Sequence, residues 1–324
     1  MNPGKVSESV LKRSILKPIE SVCEEMVQGS GVGADCALFS FSKEAFVALS
    51  VSTFSPKEGE ADYMIAASVN NIAASFAEPK AILVSAIFPT DMYENHMRKW
   101  MEEIERQCKE LGIVIAGGDT KVLSAVKEPV FTITVLGVRK ETKEKQIVPE
   151  QDVVVTKWIG LTGTAILARE RREELEAHLP PGYIEQGAML WQYASILPEA
   201  ATAMKSNVSG MHDVSYGGIF RALWELAEHA GVGLEIDLKK IPVKQETIEI
   251  CEALGLNPYE LFSAGALLVV CDNGHHLVAE LEKQGISATV IGQTTANNDK
   301  VIINEEEKRF LDRPKTDELD SICM

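Results

Sequence analysis

Four short segments of this chain carry residue types whose spacing suits the handling of anions. In Gly29-Ser-Gly-Val-Gly-Ala-Asp35, glycines let backbone N–H groups approach an anion closely, and an acidic residue beside them, Asp35, can hold a metal. No Gly-Lys-Ser/Thr follows, so this is not a Walker loop, and a plain flexible loop is the simpler reading. In Ala116-Gly-Gly-Asp-Thr-Lys-Val122 a carboxylate, a hydroxyl and an ammonium (Asp119, Thr120, Lys121) emerge together from a strand end, as phosphate and Mg²⁺ handling require. A turn with a side-chain cap accounts for it equally well. Met211-His-Asp-Val-Ser-Tyr-Gly-Gly218 opens a helix with two glycines, which serves anion binding or close packing. His212 and Asp213 have no nucleophile near them in sequence, and helix capping is the simpler use. Asn70-Asn71 lies inside a helix of small residues, where an interhelical contact is the commoner role.

The elements that must hold these residues follow from hydrophobic period. Strands are expected at Ala37–Phe41, Ala45–Ser52, Lys80–Phe88, Ile113–Ala116 and Val130–Val138, and a small-residue helix at Ala61–Ala77. Asp91–Leu111 is the clearest helix, with Tyr93, Met97, Trp100, Met101, Ile104, Cys108 and Leu111 on one face. Asp91 and Glu94 have the spacing of a capping box, and Gly112 is placed to stop the helix. The lysine-rich stretch Arg139–Glu150 separates this half from a second one. There, strands are expected at Asp152–Lys157, Gly233–Asp237, Ala264–Cys271, Ala288–Gln293 and Lys300–Ile303. Helices are expected at Gly163–Leu179, Tyr183–Lys205 (interrupted at Pro198), Gly217–Ala230, Gln245–Leu254 and His275–Gln284. The order implies two mixed halves, α+β or α/β, rather than one doubly wound sheet, with domains at 1–140 and 151–324.

At 324 residues and 45% hydrophobic, the chain has material for two cores. Its 48 acidic and 32 basic residues leave a net charge of −16, which repels phosphate backbones and anionic lipids, so neither nucleic acid nor a membrane surface is an expected partner. No apolar run reaches the ~18–20 residues of a membrane span, and the first twenty residues lack the apolar core of a signal peptide. Six scattered cysteines without a CxxC pair point to reduced thiols, and a cytoplasmic location is expected.

In this order the segments resemble the superfamily of aminoimidazole ribonucleotide (AIR) synthase, thiamine-monophosphate kinase, selenophosphate synthetase and HypE, and most closely its HypE-like branch. The resemblance runs from about Gly4 to Lys308. It rests on Gly31-Val-Gly-Ala-Asp-Cys-Ala37, Gly118-Asp-Thr-Lys-Val122, Thr156-Lys-Trp-Ile-Gly-Leu-Thr-Gly-Thr164, Met211–Gly218, and Ala230-Gly-Val-Gly-Leu-Glu-Ile-Asp237 with Ile241-Pro-Val243. It implies an N-terminal α/β domain that lends strands to a barrel shared in a homodimer, a C-terminal α+β domain, and ATP in a nearby cleft. The implied chemistry is ATP-dependent phosphorylation of an amide- or carbamoyl-type oxygen, as in hydrogenase maturation, with a maturation partner protein. On this resemblance Asp35 and Asp119 hold Mg²⁺, and Gly31, Gly33, Asn70, Thr120 and Lys121 contact the nucleotide. The implied cofactors are ATP and Mg²⁺.

The chain departs from these relatives where charge matters. Ala34 precedes Asp35 where relatives have a second acid, Ser52 ends a Ser-Thr-Asp motif, Asn71 ends an Asn-Asp motif, and Asp62 replaces a lysine. Mg²⁺ favours anionic oxygen, so losing three carboxylates weakens metal-dependent phosphate binding. The alternative is therefore a non-catalytic relative that binds a nucleotide or other anion, or scaffolds partners. The HypE tail ends Pro-Arg-Ile-Cys; this one ends Asp320-Ser-Ile-Cys-Met324, and an acidic tail is the simpler reading of Cys323 than a carrier thiol.

Overall fold

Alternation of covered and open positions along Phe46–Phe54 makes it a strand with one packed face, and its neighbours repeat the pattern. The computed structural model describes residue 8 and residues 26–28, 31–34, 37–40, 46–57, 59–140 and 146–322. The chain divides into two units, one taking in Asp35–Thr142 with Cys23–Gly29, the other Lys143–Met324 with Met1–Val22 and Ser30–Ala34.

The first unit is a six-stranded sheet of β1 (Met26–Gln28), β2 (Ala37–Ser40), β3 (Phe46–Phe54), β4 (Glu78–Phe88), β5 (Val114–Val122) and β6 (Val130–Arg139). The spatial order is β1-β2-β3-β6-β4-β5, with β4 and β5 parallel and the other pairs antiparallel. Helix α1 (Ala61–Ala74) packs on β3, β4 and β6, and α2 (Glu94–Glu110) packs on α1 and β5. The small side chains of α1 let it lie close to the sheet. At Gly137 of β6 a Cβ would stand 2.3 Å from Ile72 Cγ2. Trp100, Ile104 and Cys108 form the buried stripe of α2, and the Trp100 ring sits 5.0 Å from Phe131. The capping box at Asp91 does not form: Met92 N–H closes a separate turn onto Pro89 O (3.1 Å), and the helix starts after Tyr93. Gly112 does end it, at φ 69°.

The second unit is a seven-stranded sheet of β7 (Asp152–Thr156), β8 (Gly210–Val214), β9 (Gly233–Asp237), β10 (Ala266–Cys271), β11 (Ala288–Thr295), β12 (Lys300–Asn304) and β13 (Glu307–Phe310), in the order β13-β12-β9-β11-β7-β10-β8. Its helices are α3 (Leu161–Glu170), α4 (Arg172–Glu176), α5 (Pro181–Ala188), α6 (Leu197–Lys205), α7 (Gly218–Ala230), α8 (Gln245–Leu254), α9 (Gly274–Glu282) and α10 (Glu318–Ile322). The central strands β7 and β10 are buried along nearly their whole length, which is why they read as unbroken valine and leucine runs. On one face Ile219, Leu223 and Leu226 of α7 pack with Val153, Val155 and Leu268; on the other, α6 lies on β10 and α9 on β7 and β11.

The expected two-part mixture of helix and sheet is present, and several elements differ in detail. The helix expected over Gly163–Leu179 is divided into α3 and α4 at Arg171, and Tyr183–Lys205 is three pieces: α5, a 3₁₀ turn at Leu190–Tyr193, and α6. Pro198 starts α6 rather than interrupting a helix, because the first turn has no N–H bond for proline to break. His212 and Asp213 belong to a strand, β8, and the helix begins only at Gly218. Asp119, Thr120 and Lys121 do not leave a strand end: the parallel ladder with β4 carries β5 on to Val122. Among the described residues no helix is long and apolar enough to cross a membrane.

Candidate functional site

In the first unit the polar candidates fall on two faces of one sheet. Ser50 and Ser52 point to the helix side, where Asn71 Nδ2 donates to Ser52 Oγ at 3.3 Å. Thus two of the three positions at which the resemblance expects carboxylates are neutral and bonded to each other. Asn70 is fully buried within α1. Asp62 is held by Arg106 of α2 at 2.6 Å.

Asp119 and Lys121 lie two residues apart in the edge strand β5, so they share a face, and their side chains pair at 3.1 Å while more than half exposed. Parallel register sets Asp119 beside Ser85 and Lys121 beside Ile87, on the sheet face that the helices leave open. Thr120 points the other way and is exposed. Ser52 is three strands distant, roughly 14 Å at the usual strand spacing, and on the opposite face. Within one unit the structure therefore brings together Ser52 with Asn71, and Asp119 with Lys121, but not the two pairs. The open face also carries Val51 (64% exposed), Leu83 (47%) and Leu136 (37%), with a Thr53–Thr132 hydroxyl contact of 3.1 Å at one end of the group.

The glycine loop is described only at residues 31–34; Asp35 lies outside the described residues, as does Cys323. Gly31 is exposed, and Ala34 N–H bonds back to its carbonyl at 3.4 Å. Gly33 has φ 73° and lies against α7, where a Cβ would stand 2.5 Å from Glu225 O, so close packing alone requires glycine there.

The second unit holds a buried charge cluster that sequence reading missed. Lys157, at φ 53° just after β7, donates to Tyr193 O (3.0 Å) and Ser195 O (2.7 Å) and pairs with Glu199 at 2.6 Å. Both ionic side chains are under a tenth exposed. Burial lowers the Lys157 ammonium below its ordinary range, against the opposing pull of Glu199 and Asp213. The only signal was Lys157 itself, standing in the Thr156–Thr164 motif. That motif is spent internally: Thr156 Oγ1 accepts from Leu267 N, Gly160 N donates to Ser263 Oγ, Thr162 Oγ1 bonds Ala264 O, and Thr164 bonds Thr247. Nearby, Glu225 of α7 faces both His212 (3.6 Å) and Arg221 (3.3 Å).

The glycines that open α7 pack closely, and the anion at this helix start is the chain's own. Gly217 N–H donates to Asp317 of the C-terminal segment, whose carboxylate also accepts from Phe262 N (3.1 Å) and Leu319 N (2.9 Å). Burial pushes the Asp317 carboxyl up to about 6, against the pull of those three N–H groups and of Arg221. Its folded value lies above its unfolded one, so its contribution to stability is full below about pH 4 and is lost as pH rises through 6. The stability difference between wild type and Asp317→Asn is therefore expected to shift in favour of wild type by about 1 kcal/mol between pH 7.5 and pH 5, read from urea unfolding at both pH values. A pH-independent difference would contradict the burial of an ionisable carboxyl here.

Among the described residues no three His, Cys, Asp or Glu side chains gather as a metal site. Asp119 is the one described carboxylate among the proposed ligands, and Lys121 already neutralises it. The described residues therefore do not by themselves fit Mg²⁺, a hard cation that demands several oxygen ligands.

The model of the family described as AIR synthase related protein, N-terminal domain, matches residues 33–139, and that of its C-terminal domain matches residues 148–304. The chain is 26% identical, over 99% of its length and 97% of the relative's, to the putative hydrogenase expression/formation protein MJ0676 of Methanocaldococcus jannaschii. Among solved structures it is similar to a HypE–HypF complex (TM-score 0.71, 22% identity, 87% of this chain and 94% of that one). It is also similar to the hydrogenase maturation protein HypE in complex with ATP (TM-score 0.67, 15% identity, 98% and 97%). At these identities the two structures speak for the fold.

Proposed function

Since this chain belongs to the AIR synthase related family, on its HypE-like branch, we propose that it is a hydrogenase-maturation-type protein that binds ATP as a homodimer. Its task would be to activate an amide- or carbamoyl-type oxygen. The observation that carries this reading is the family match across both units. ATP, when bound, supplies a phosphoryl group that turns a poor leaving oxygen into phosphate. Thr120 and Lys121 are exposed on β5, so a hydroxyl and an ammonium are available to phosphate oxygens; Gly31 offers backbone N–H. Lys121 would exchange Asp119 for phosphate, and this reading keeps Asp119 and Asp35 as the carboxylates assigned to Mg²⁺. A maturation partner protein belongs to the same reading, in line with the similarity to HypE in its complex with HypF.

The homodimer is supported by the open apolar face of the first sheet, since Val51, Leu83 and Leu136 stand exposed in a row of strands that should be covered. Leu83→Lys is expected to weaken self-association by about a hundredfold, because a lysine ammonium must then be desolvated. Sedimentation velocity across a dilution series measures this, and an unchanged dimer would place the interface elsewhere.

A second reading, a non-catalytic anion binder or scaffold, is favoured by the Ser52–Asn71 hydrogen bond. A neutral pair needs no metal to relieve repulsion. Calorimetric titration of ATP with and without Mg²⁺, followed by an assay for released ADP, separates the two. Magnesium-dependent binding with turnover supports the enzyme; binding without turnover supports the second reading. Asp35→Ala and Asp119→Ala test the metal assignment, and unchanged ATP binding in both would remove it.

A further inference from the structure

The second unit holds a small cavity that the family reading does not use. Its volume is about 140 Å³, and its walls include Phe220 and Arg221 of α7, Arg309 and Phe310 of β13, and Arg313 just past that strand. The charged lining consists of those three arginines and Lys315 against two acids, Glu260 and Asp312, a balance of four to two. The wall is thus positive in a chain whose net charge is −16.

These charges are held in place without being neutralised. Glu260 and Asp312 both face Lys315, at 3.9 and 3.4 Å, so the two acids of the wall share one lysine. Arg221 is buried, with Nη1 reaching Glu225 at 3.3 Å, Nη2 donating to Lys315 O at 2.8 Å, and Asp317 acting on it as a further negative charge. Its Nε–H is buried and has no acceptor. Gly217 makes room for this guanidinium, since a Cβ there would stand 2.3 Å from Nε. Arg309 rests over the Phe220 ring at 5.6 Å, and that ring is stacked on Tyr259. An aromatic face orients a cation and leaves its charge in place. Among the described residues neither Arg309 nor Arg313 pairs with a carboxylate.

Cations gathered on one concave wall repel each other until an anion joins them, and a cleft lined by one sign of charge concentrates the opposite one. Guanidinium groups match phosphate oxygens in geometry as well as in charge. The cavity is small beside the roughly 300–1,000 Å³ of a site for a drug-sized ligand, so it suits one phosphate group and not a whole nucleotide. We propose that this cavity binds a phosphate group, free or as a small monoester, among Arg221, Arg309 and Arg313. The site lies within the second unit, shares no residue with Thr120 and Lys121 of the first, and stands whether or not ATP binds there.

The test is calorimetric titration of inorganic phosphate, and separately of phenyl phosphate, into the full-length protein at low ionic strength, with sodium chloride as the control. Wild type is expected to bind phosphate, Arg309→Gln to weaken that binding about tenfold or more, and Lys121→Gln to leave it within about twofold. No heat beyond that of chloride, or weakening by Lys121→Gln without weakening by Arg309→Gln, would overturn the proposal. Whichever of the two probes binds more tightly identifies the occupant as the free ion or a monoester. Hydrogen exchange on wild type gives a second arm that needs no variant. Phosphate, against chloride at equal ionic strength, should slow exchange in peptides spanning 309–316 and leave 114–122 unchanged. Protection that is absent, or confined to 114–122, would place no phosphate in the cavity.

Discussion

Replacing Glu199 by alanine is expected to lower the unfolding free energy by roughly 3–5 kcal/mol, the cost of leaving a buried ammonium without its partner. Lys157 and Glu199 are both removed from water and meet at 2.6 Å, so neither can fall back on solvent. The carbonyls of Tyr193 and Ser195 would still accept from Lys157, but two dipoles do not replace a carboxylate. The apolar double variant Lys157→Met/Glu199→Leu is expected to lose less than Glu199→Ala, because it removes the stranded charge along with the bond. Urea unfolding followed by circular dichroism gives both numbers. A single variant within about 1 kcal/mol of wild type would mean that water reaches the pair.

Gly218→Ala should be nearly as damaging, at about 2–5 kcal/mol, and for a reason that the glycine at the other end of the helix isolates. Gly218 has φ 66°, and a Cβ there would stand 2.4 Å from the backbone carbonyl of Tyr259. Left-handed backbone costs alanine about 1–2 kcal/mol, and the clash with a fixed carbonyl adds about 1–3 kcal/mol. Gly231, which ends the same helix at φ 68°, has open space around it, so Gly231→Ala should show the backbone cost alone. Thermal unfolding of the two variants side by side reads the difference, and equal losses would refute the close approach at Tyr259.

Much of the fold was legible because period and punctuation agreed. Gln245–Leu254 and Gly233–Asp237 stand where expected, and Gly231 ends α7 as its position foretold. The errors have two causes: local signals yielded to pairing partners far away or to a turn close by. Gly117-Gly118 looked like the end of a strand, yet β4 holds the chain extended through it. Asp91 and Glu94 had cap spacing, but Pro89 had already committed the preceding residues to a turn. Short strands such as β8 and β13 carry little pattern of their own and exist because a neighbour completes them. The candidate site was less readable still. Gly33 was expected at phosphate and Gly218 at an anion or in close packing, and the structure gives each a packing reason that sequence cannot distinguish from a ligand. The Lys157–Glu199 pair spans two distant stretches with no motif linking them, so only the fold could reveal it.

The strand order of the second sheet bears on how the protein is made. Val155 of β7, near the start of that unit, has as ladder partners Leu268 and Thr289, so the first strand out of the ribosome sits at the sheet's centre and waits for the last third of the chain. At ~5–20 residues per second that wait is on the order of ten seconds, with an unpaired valine run exposed throughout. The first sheet is different, since every strand it contains has been made by Arg139. Synthesis thus separates the two units in time. The long-lived nascent chain is one with its first half able to fold and β7 bare, the state that a chaperone would meet.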